Sequence, residues 1–236
     1  AEAGHTVTPL RGSLVPLQGI VAPGIPCVRL QGLSLRNVGL TVFENDKKLY
    51  TDFGELLFTH FGVSGPLVLS ASALMRKGSP EDYRLEIDLK PGLTPEQLDK
   101  RIQRDLTENQ NRDMGNILRA LLPAKLILPI LQLSHIAPDT KANALTKTQR
   151  LALRDCIKAV SLHVKAFRPI EEAIITRGGV SVKEVDAKTM ASKRCEGLYF
   201  AGEILDLDGY TGGFNLQIAF STAYSAGIAM AEAICR

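Results

Sequence analysis

The hydrophobic period of this chain changes twice, and that switch limits the folds open to it. Residues 83–91 (YRLEIDLKP) set Leu85, Ile87 and Leu89 against charged neighbours, the period of two expected of a strand. From Thr94 the apolar positions move to helical spacing at Leu98, Ile102 and Leu106, behind a Thr cap and a Glu in the first turn. NILRALLP, PAKLILPILQLSHI and TKTQRLALRDCIKAV carry the helical pattern to about residue 159, with Pro123, Pro129 and Pro138 read as breaks. β character returns over 160–176 (VSLHVKAFRPIEEAIIT). A small helical unit over 94–159 is therefore predicted as an insertion between β segments.

The first sixty residues fit the same frame. Residues 12–60 read as β, and VGLTVFEN followed by KKLYTDFGELLFT forms a hairpin turning at Asn45-Asp46. Ser64-Gly65-Pro66 opens a helix over 66–76 that ends near Gly78. RGGVSVKEVD and GLYFAG read as further short strands or turns, and the chain closes with a strand, a glycine-rich loop and a helix. That order predicts a multi-domain α+β or α/β protein.

With 236 residues, the chain is long enough for one large domain or two smaller ones. The net charge of +3 is a weak argument for nucleic acid, because Lys and Arg are interleaved with acids. Cys27, Cys156, Cys195 and Cys235 are far apart and form no CxxC pair, which suits a reducing cytoplasm and gives no metal signature. The apolar segment 214–234 contains Asn215, Gln217, Ser221, Thr222, Ser225 and Glu232, so it is read as a buried helix and not a membrane span. The opening AEAGH reads like the end of a helix, and the chain is expected to be a piece of a longer protein.

The stretch 197–217, GLYFAGEILDLDGYTGGFNLQ, places glycine, acid and amide side chains at the mouth of the last helix. A helix N-terminus presents unpaired N–H groups and partial positive charge. Gly212 and Gly213 would let a planar or phosphorylated ligand approach the backbone, and Asn215 and Gln217 add amides in the first turn. This suits the pyrimidine edge of a flavin, with Glu203 placed to accept from sugar or ribityl hydroxyls. The bland alternative is a glycine-rich turn before a capped helix. Asp206-x-Asp208-Gly209 faintly echoes a calcium loop but lacks its later ligands, so no metal is assigned.

GLYFAGEILDLDGYTGGFNLQIAFSTAYSAG resembles the C-terminal flavin-binding segment of the three-domain bacterial NAD(P)/FAD-dependent oxidoreductase flavoproteins, a family with aminoacetone-oxidase-like and bile-acid-reductase-like members. GHTVTPLRGSLVPL, GELLFTHFGVSGPLVLSAS, RPIEEAIITRGGV and EVDAKTMASKRCEGLYFAGE resemble that family's segments in the same order. The GxGxxG turn of the family's N-terminal nucleotide-binding half does not occur in this sequence. The resemblance implies a β-rich, barrel-like substrate or cap domain at 1–93 and 160–170, the helical insert at 94–159, and the C-terminal part of a Rossmann-like FAD domain at 171–236. It implies FAD as cofactor of a full-length oxidoreductase, with this stretch alone weak or inactive. It also implies a small organic substrate, with oxygen, NAD(P) or an unsaturated compound left open as acceptor. Cofactor contacts fall on Gly202, Glu203, Asp208, Gly209, Gly212, Gly213, Phe214, Asn215, Leu216 and Gln217, and on Thr176, Gly178 and Gly179 of the ITRGGV turn.

His60 in THFGVSGP is a candidate proton carrier, against a structural histidine beside a helix start. His5, His135 and His163 have no partner by spacing and receive no role. Ala219, Ala223 and Gly227 recur at helical spacing and are read as packing against a sheet. The rival reading is a non-catalytic module that binds RNA or protein through the basic faces of the insert, formed by Lys100, Arg101, Arg104, Lys141, Lys147, Arg150, Arg154 and Lys158. A solvated helix surface accounts equally for those charges.

Overall fold

The computed structural model describes residues 2–22, 24–76 and 78–235. The strands, in chain order, are β1 (Val7–Ser13), β2 (Leu17–Val21), β3 (Ile25–Pro26), β4 (Ser34–Glu44), β5 (Lys47–Phe58), β6 (Gly62–Ser64), β7 (Tyr83–Asp88), β8 (Val160–Phe167) and β9 (Ile175–Val180). The helices are α1 (Pro66–Leu74), α2 (Pro95–Glu108), α3 (Met114–Ile117), α4 (Ala124–Leu133), α5 (Lys147–Lys158) and α6 (Phe214–Ile234). The chain divides into two compact units, Leu17–Leu67 with Lys77–Phe167, and Ala1–Pro16 with Val68–Arg76 and Arg168–Arg236.

The first unit is a closed antiparallel barrel in the order β2-β6-β5-β4-β7-β8, with β8 returning to β2. Alternation drives it. β7 buries Tyr83, Leu85 and Ile87, and β8 buries Val160, Leu162 and Val164, so every second side chain fills the barrel. The β4–β5 turn sits at Asn45 and Asp46, with φ of 47° and 62°. Two consecutive left-handed residues make the primed turn that matches strand twist, so the hairpin lies where the sequence predicts it.

Closure depends on two glycines at β2. Gly62 pairs with Gln18, and a Cβ there would fall 2.0 Å from Leu17 O. A Cβ on Gly19 would fall 2.6 Å from His163 O.

The helices α2 to α5 form the connection between β7 and β8, which pair directly at Ile87 and Val160. The neck of this insert is fastened: Leu89 N–H donates to Ile157 O at 3.0 Å, and Lys158 Nζ donates to Lys90 O and Leu93 O and pairs with Asp88 at 2.6 Å. Capping boxes start both long helices, Thr94 with Gln97 in α2 and Thr146 with Gln149 in α5. Leu98, Ile102, Ile130, Leu153 and Ile157 pack between them, and Arg150 ties α5 to Asp99 of α2 at 2.8 Å.

Pro129 does not break its helix as expected, because it lies inside α4. Its missing N–H leaves only Lys125 O without a helical partner, and Lys125 is exposed to water. Burial of Leu126, Ile127, Ile130 and Leu131 around the proline outweighs that single loss.

In the second unit β1 and β9 pair antiparallel, with Val7 opposite Val180 and Ser13 opposite Ile175. The strand expected at 197–201 is reduced to an isolated bridge between Tyr199 and Ala191. A strand stays regular only where a partner continues along its edge, and here 190–192 supplies two backbone hydrogen bonds around a single bridge, Ser192 N–H to Leu198 O and Phe200 N–H to Met190 O. Nor is α6 the buried helix expected. Ala226 is its only buried residue, while Phe214, Leu216, Phe220 and Tyr224 are 59–71% exposed. The space around Gly227 is open, so the small residues of α6 do not pack on a sheet among the described residues. Among those residues no helix is long and apolar enough to cross a membrane.

We expect Gly62→Ala to lower stability by about 1–3 kcal/mol, because the added methyl meets backbone and not a yielding side chain. Gly92→Ala, with open space around it, should stay within about 0.5 kcal/mol of the parent. Denaturant midpoints measured side by side check both, and equal midpoints would remove the glycine argument for closure.

Candidate functional site

The second unit collects most of the residues singled out in the sequence. β9 ends in Gly178-Gly179-Val180, both glycines having positive φ. At Gly179 a Cβ would lie 2.4 Å from Ile204 O, so the turn carrying Glu203 can approach β9 only over a glycine. Val180 O accepts from Asp206 N–H at 2.9 Å, and Gly178 N–H donates to Asp206 Oδ1 at 3.2 Å. Gly202 N–H donates to Thr222 Oγ1 of α6 at 2.9 Å.

These contacts border a cleft of about 400 Å³. Thr176, Gly179 and Glu203 line it with His5, Val7, Leu10, Leu198, Phe200 and Ile204. Its walls are mostly apolar, and Glu203 is exposed at its edge.

A second group lies at the mouth of α6. Gly212 and Gly213 are both left-handed, with φ of 100° and 91°, and Gly213 is the N-cap without a side-chain hydrogen bond. The first turn holds no acid, and a Cβ on Gly213 would meet nothing within 4 Å. The backbone here is bare and its N–H ends are uncapped by side chains.

The side chains around this mouth are largely engaged within the protein. Asn215 Oδ1 accepts from Gly209 N–H at 2.8 Å, and its Nδ2 donates to Gly209 O at 3.0 Å. Gln217 Nε2 donates to Ser221 Oγ at 2.9 Å. Asp208 accepts from Ser13 Oγ at 2.7 Å and from Arg76 at 2.9 Å, and its side chain is 5% exposed. Phe214 and Leu216 face outward. His60 belongs to the barrel unit, exposed in the β5–β6 turn and edge-on to Phe61 with ring centroids 4.9 Å apart.

Sequence reading gave His5 no role, yet it is buried in the cleft wall against Phe200. Ser192 Oγ accepts the N–H groups of Arg194 and Cys195 at 3.0 and 2.8 Å, so its own O–H is left to donate to His5 Nε2 at 2.7 Å. His5 Nδ1 lies 3.2 Å from Glu184 Oε2. Glu184 and Ser192 stand 179 and 187 positions from His5, and no local spacing could have exposed that link. Ser13, Ser70 and Arg76, which hold the 205–213 loop, were likewise invisible.

A closed barrel bearing a helical insert, joined in one chain to a unit with a glycine-built loop, defines a barrel-and-helix class of protein. Residues 11–175 match the family described as "HI0933-like protein barrel and H2TH domain", and the chain belongs to that family. It is similar to the 3-dehydro-bile acid delta(4,6)-reductase of Clostridium scindens, 31% identical over 231 residues covering 97% of this chain and 56% of that protein. It is also similar to the ribosomal RNA dihydrouridine synthase of Haemophilus influenzae, 32% identical over 98% of this chain and 54% of that protein. The ribosomal RNA dihydrouridine synthase of Escherichia coli is 30% identical over 95% of the chain and 53% of its own length. The chain thus spans about half the length of the curated relatives it matches.

Glu184, behind the His5 of the cleft wall, has an acid-range signature. Glu184 accepts from Thr6 N–H at 2.9 Å and Thr6 Oγ at 2.8 Å, and pairs with Arg194 at 2.6 Å. The Thr6 N–H bond leads in holding its pKa near 2, below the ordinary 4.5. A depressed folded pKa contributes stability that is complete above pH 4.5 and lost as pH falls from there through 2. We expect Glu184→Gln to flatten that limb of the stability curve, followed by circular dichroism from pH 6 downward. An unchanged acid limb would show that this carboxylate does not couple to folding.

Proposed function

We propose that the chain is part of an FAD-dependent oxidoreductase acting on a small organic substrate. The observation that carries this reading is the mouth of α6, where two consecutive exposed, left-handed glycines, the second with nothing within 4 Å of where a Cβ would lie, precede an uncapped helix. The fit is chemical as well as steric, since a pyrimidine edge that gains negative charge is stabilised by converging backbone N–H groups and a helix N-terminus. On this reading Gly212, Gly213 and the backbone of Phe214, Asn215, Leu216 and Gln217 would hold that edge. Gly202 and Glu203, with Thr176, Gly178 and Gly179, would border the ribityl chain, with Glu203 accepting from its hydroxyls. Gly209 and Asp208 belong to the same loop. A bound flavin supplies hydride or electron-pair transfer. The mostly apolar cleft beside Glu203 would suit an organic substrate.

The relatives' names support a reductive direction, one being a reductase of a delta(4,6) bile acid and the other the maker of a dihydro pyrimidine. Reduction of an unsaturated ring is the chemistry they share. An NAD(P) donor remains part of the proposal, as does a cytoplasmic setting. The exposed apolar length of α6 supports a longer protein in which a nucleotide-binding half covers it, because helices apolar all round belong in interiors. The rival module, using the insert's basic faces for RNA or protein, is weakened by pairing: Arg101, Arg104, Lys141, Arg150, Arg154 and Lys158 each form an ion pair with an acid.

A visible absorption spectrum after adding excess FAD and gel filtration tests the reading. The full-length protein should emerge yellow, Gly213→Val in that protein should emerge colourless, and this chain alone should retain little or no FAD. Retention should vary little between low and high salt, whereas phosphate-driven RNA binding falls steeply. A colourless full-length protein would move the binding-module reading ahead.

A further inference from the structure

Asp208 sits in the glycine-rich loop as if to meet a ligand, but both oxygens of its carboxylate are engaged inside the protein and its side chain is nearly buried. Oδ2 accepts a hydrogen bond from the hydroxyl of Ser13, a residue with no exposed surface, at 2.7 Å. Oδ1 takes Arg76 Nη2 at 2.9 Å. The side chain is 5% exposed. Arg76 does a second thing with the same head group, since its Nε donates to Ala73 O at 2.8 Å, beside the end of α1. A cation there complements the carbonyl-rich C-terminus of the helix. The carboxylate of Asp208 thus joins the end of β1, the end of α1 and the loop leading to α6. Ser70 and Thr211 make a second α1-to-loop tie at 2.9 Å.

We infer that Arg76 and Asp208 are a positioning pair: they touch no ligand and instead fix the backbone of the loop so that Gly212 and Gly213 stand open before α6. This rests on the flavin reading above. A left-handed glycine pair is free to take many conformations, so the open arrangement needs anchors on the N-terminal side of the turn as well as Asn215 on its helical side. Arg76 is half exposed, so its pair with Asp208 is partly screened, and Ser13 supplies the dry half of the anchor.

The test uses the full-length protein with FAD, and Arg76→Gln, Asp208→Asn, their double variant and Arg76→Lys. Equilibrium dialysis gives the FAD dissociation constant, the visible band reports the flavin's surroundings, and melting of the FAD-free protein reports folding. Each single variant should weaken FAD roughly tenfold and shift the band, and the double variant should be no worse than the poorer single. Arg76→Lys should recover much of the affinity. Losses that multiply in the double variant overturn the pair. So does a lower melting temperature with unchanged affinity and band, because that is a structural role alone. If the unmutated protein binds no FAD, the flavin reading fails and takes this inference with it. If the unmutated protein binds and the variants bind equally well, only the positioning pair fails.

Discussion

The barrel closes at β2, and the rest of its unit depends on that seam. β2 is five residues long yet pairs with β6 on one side and β8 on the other. Leu17 faces Val63 and Phe167, partners 46 and 150 positions away. Such a closure gains its hydrogen bonds only after long loops have been brought together, so local preference cannot nucleate it. Steric fit makes it attainable. Gly19 and Gly62 let backbones meet where any side chain would strike a carbonyl oxygen, and the alternating Leu, Ile and Val residues fill the interior once the ring is shut.

Closure also sets the terms for the helical insert. β7 and β8 are adjacent staves of the barrel, so a connection of any length between them must leave and return at one place. The insert satisfies this with a neck of polar ties at Lys158, Asp88 and Leu89 and an apolar interior of its own. Its cations mostly serve that architecture. Arg150 reaches Asp99 across two helices, and Lys158 fastens the neck. A sequence reader sees a basic face, whereas the fold shows charges already engaged.

The legible features were those set by neighbours in sequence. Asn45-Asp46 fixed the hairpin because two left-handed residues suit small polar side chains, and Thr94 with Gln97 fixed the start of α2. Pro129 misled because burial on both sides of it is a tertiary matter. Residues 197–201 misled in the opposite sense, since apolar alternation can announce a strand but cannot supply its neighbours. The contacts of His5 with Glu184 and Ser192, and of Arg76 with Asp208, join residues more than 130 positions apart. No periodicity encodes such pairs, and only the folded chain displays them.

The same distinction governs the candidate site. Asp208, Asn215 and Gln217 drew attention as polar side chains near glycine, yet Asp208 and Asn215 are engaged within the protein and Gln217 donates to Ser221. What faces outward is backbone at Gly212 and Gly213, the apolar side chains of Phe214 and Leu216, the carboxylate of Glu203 and an apolar cleft wall. On the proposed reading, such a site would recognise its ligand through the shape of its turn and the direction of its N–H groups. Its chemistry is then sensitive to φ and ψ more than to side-chain identity. The polar side chains hold the shape of the loop, and on the proposed flavin reading the determinants of binding would lie as much in Ser13 and Arg76, on β1 and just beyond α1, as in the loop that carries the glycines.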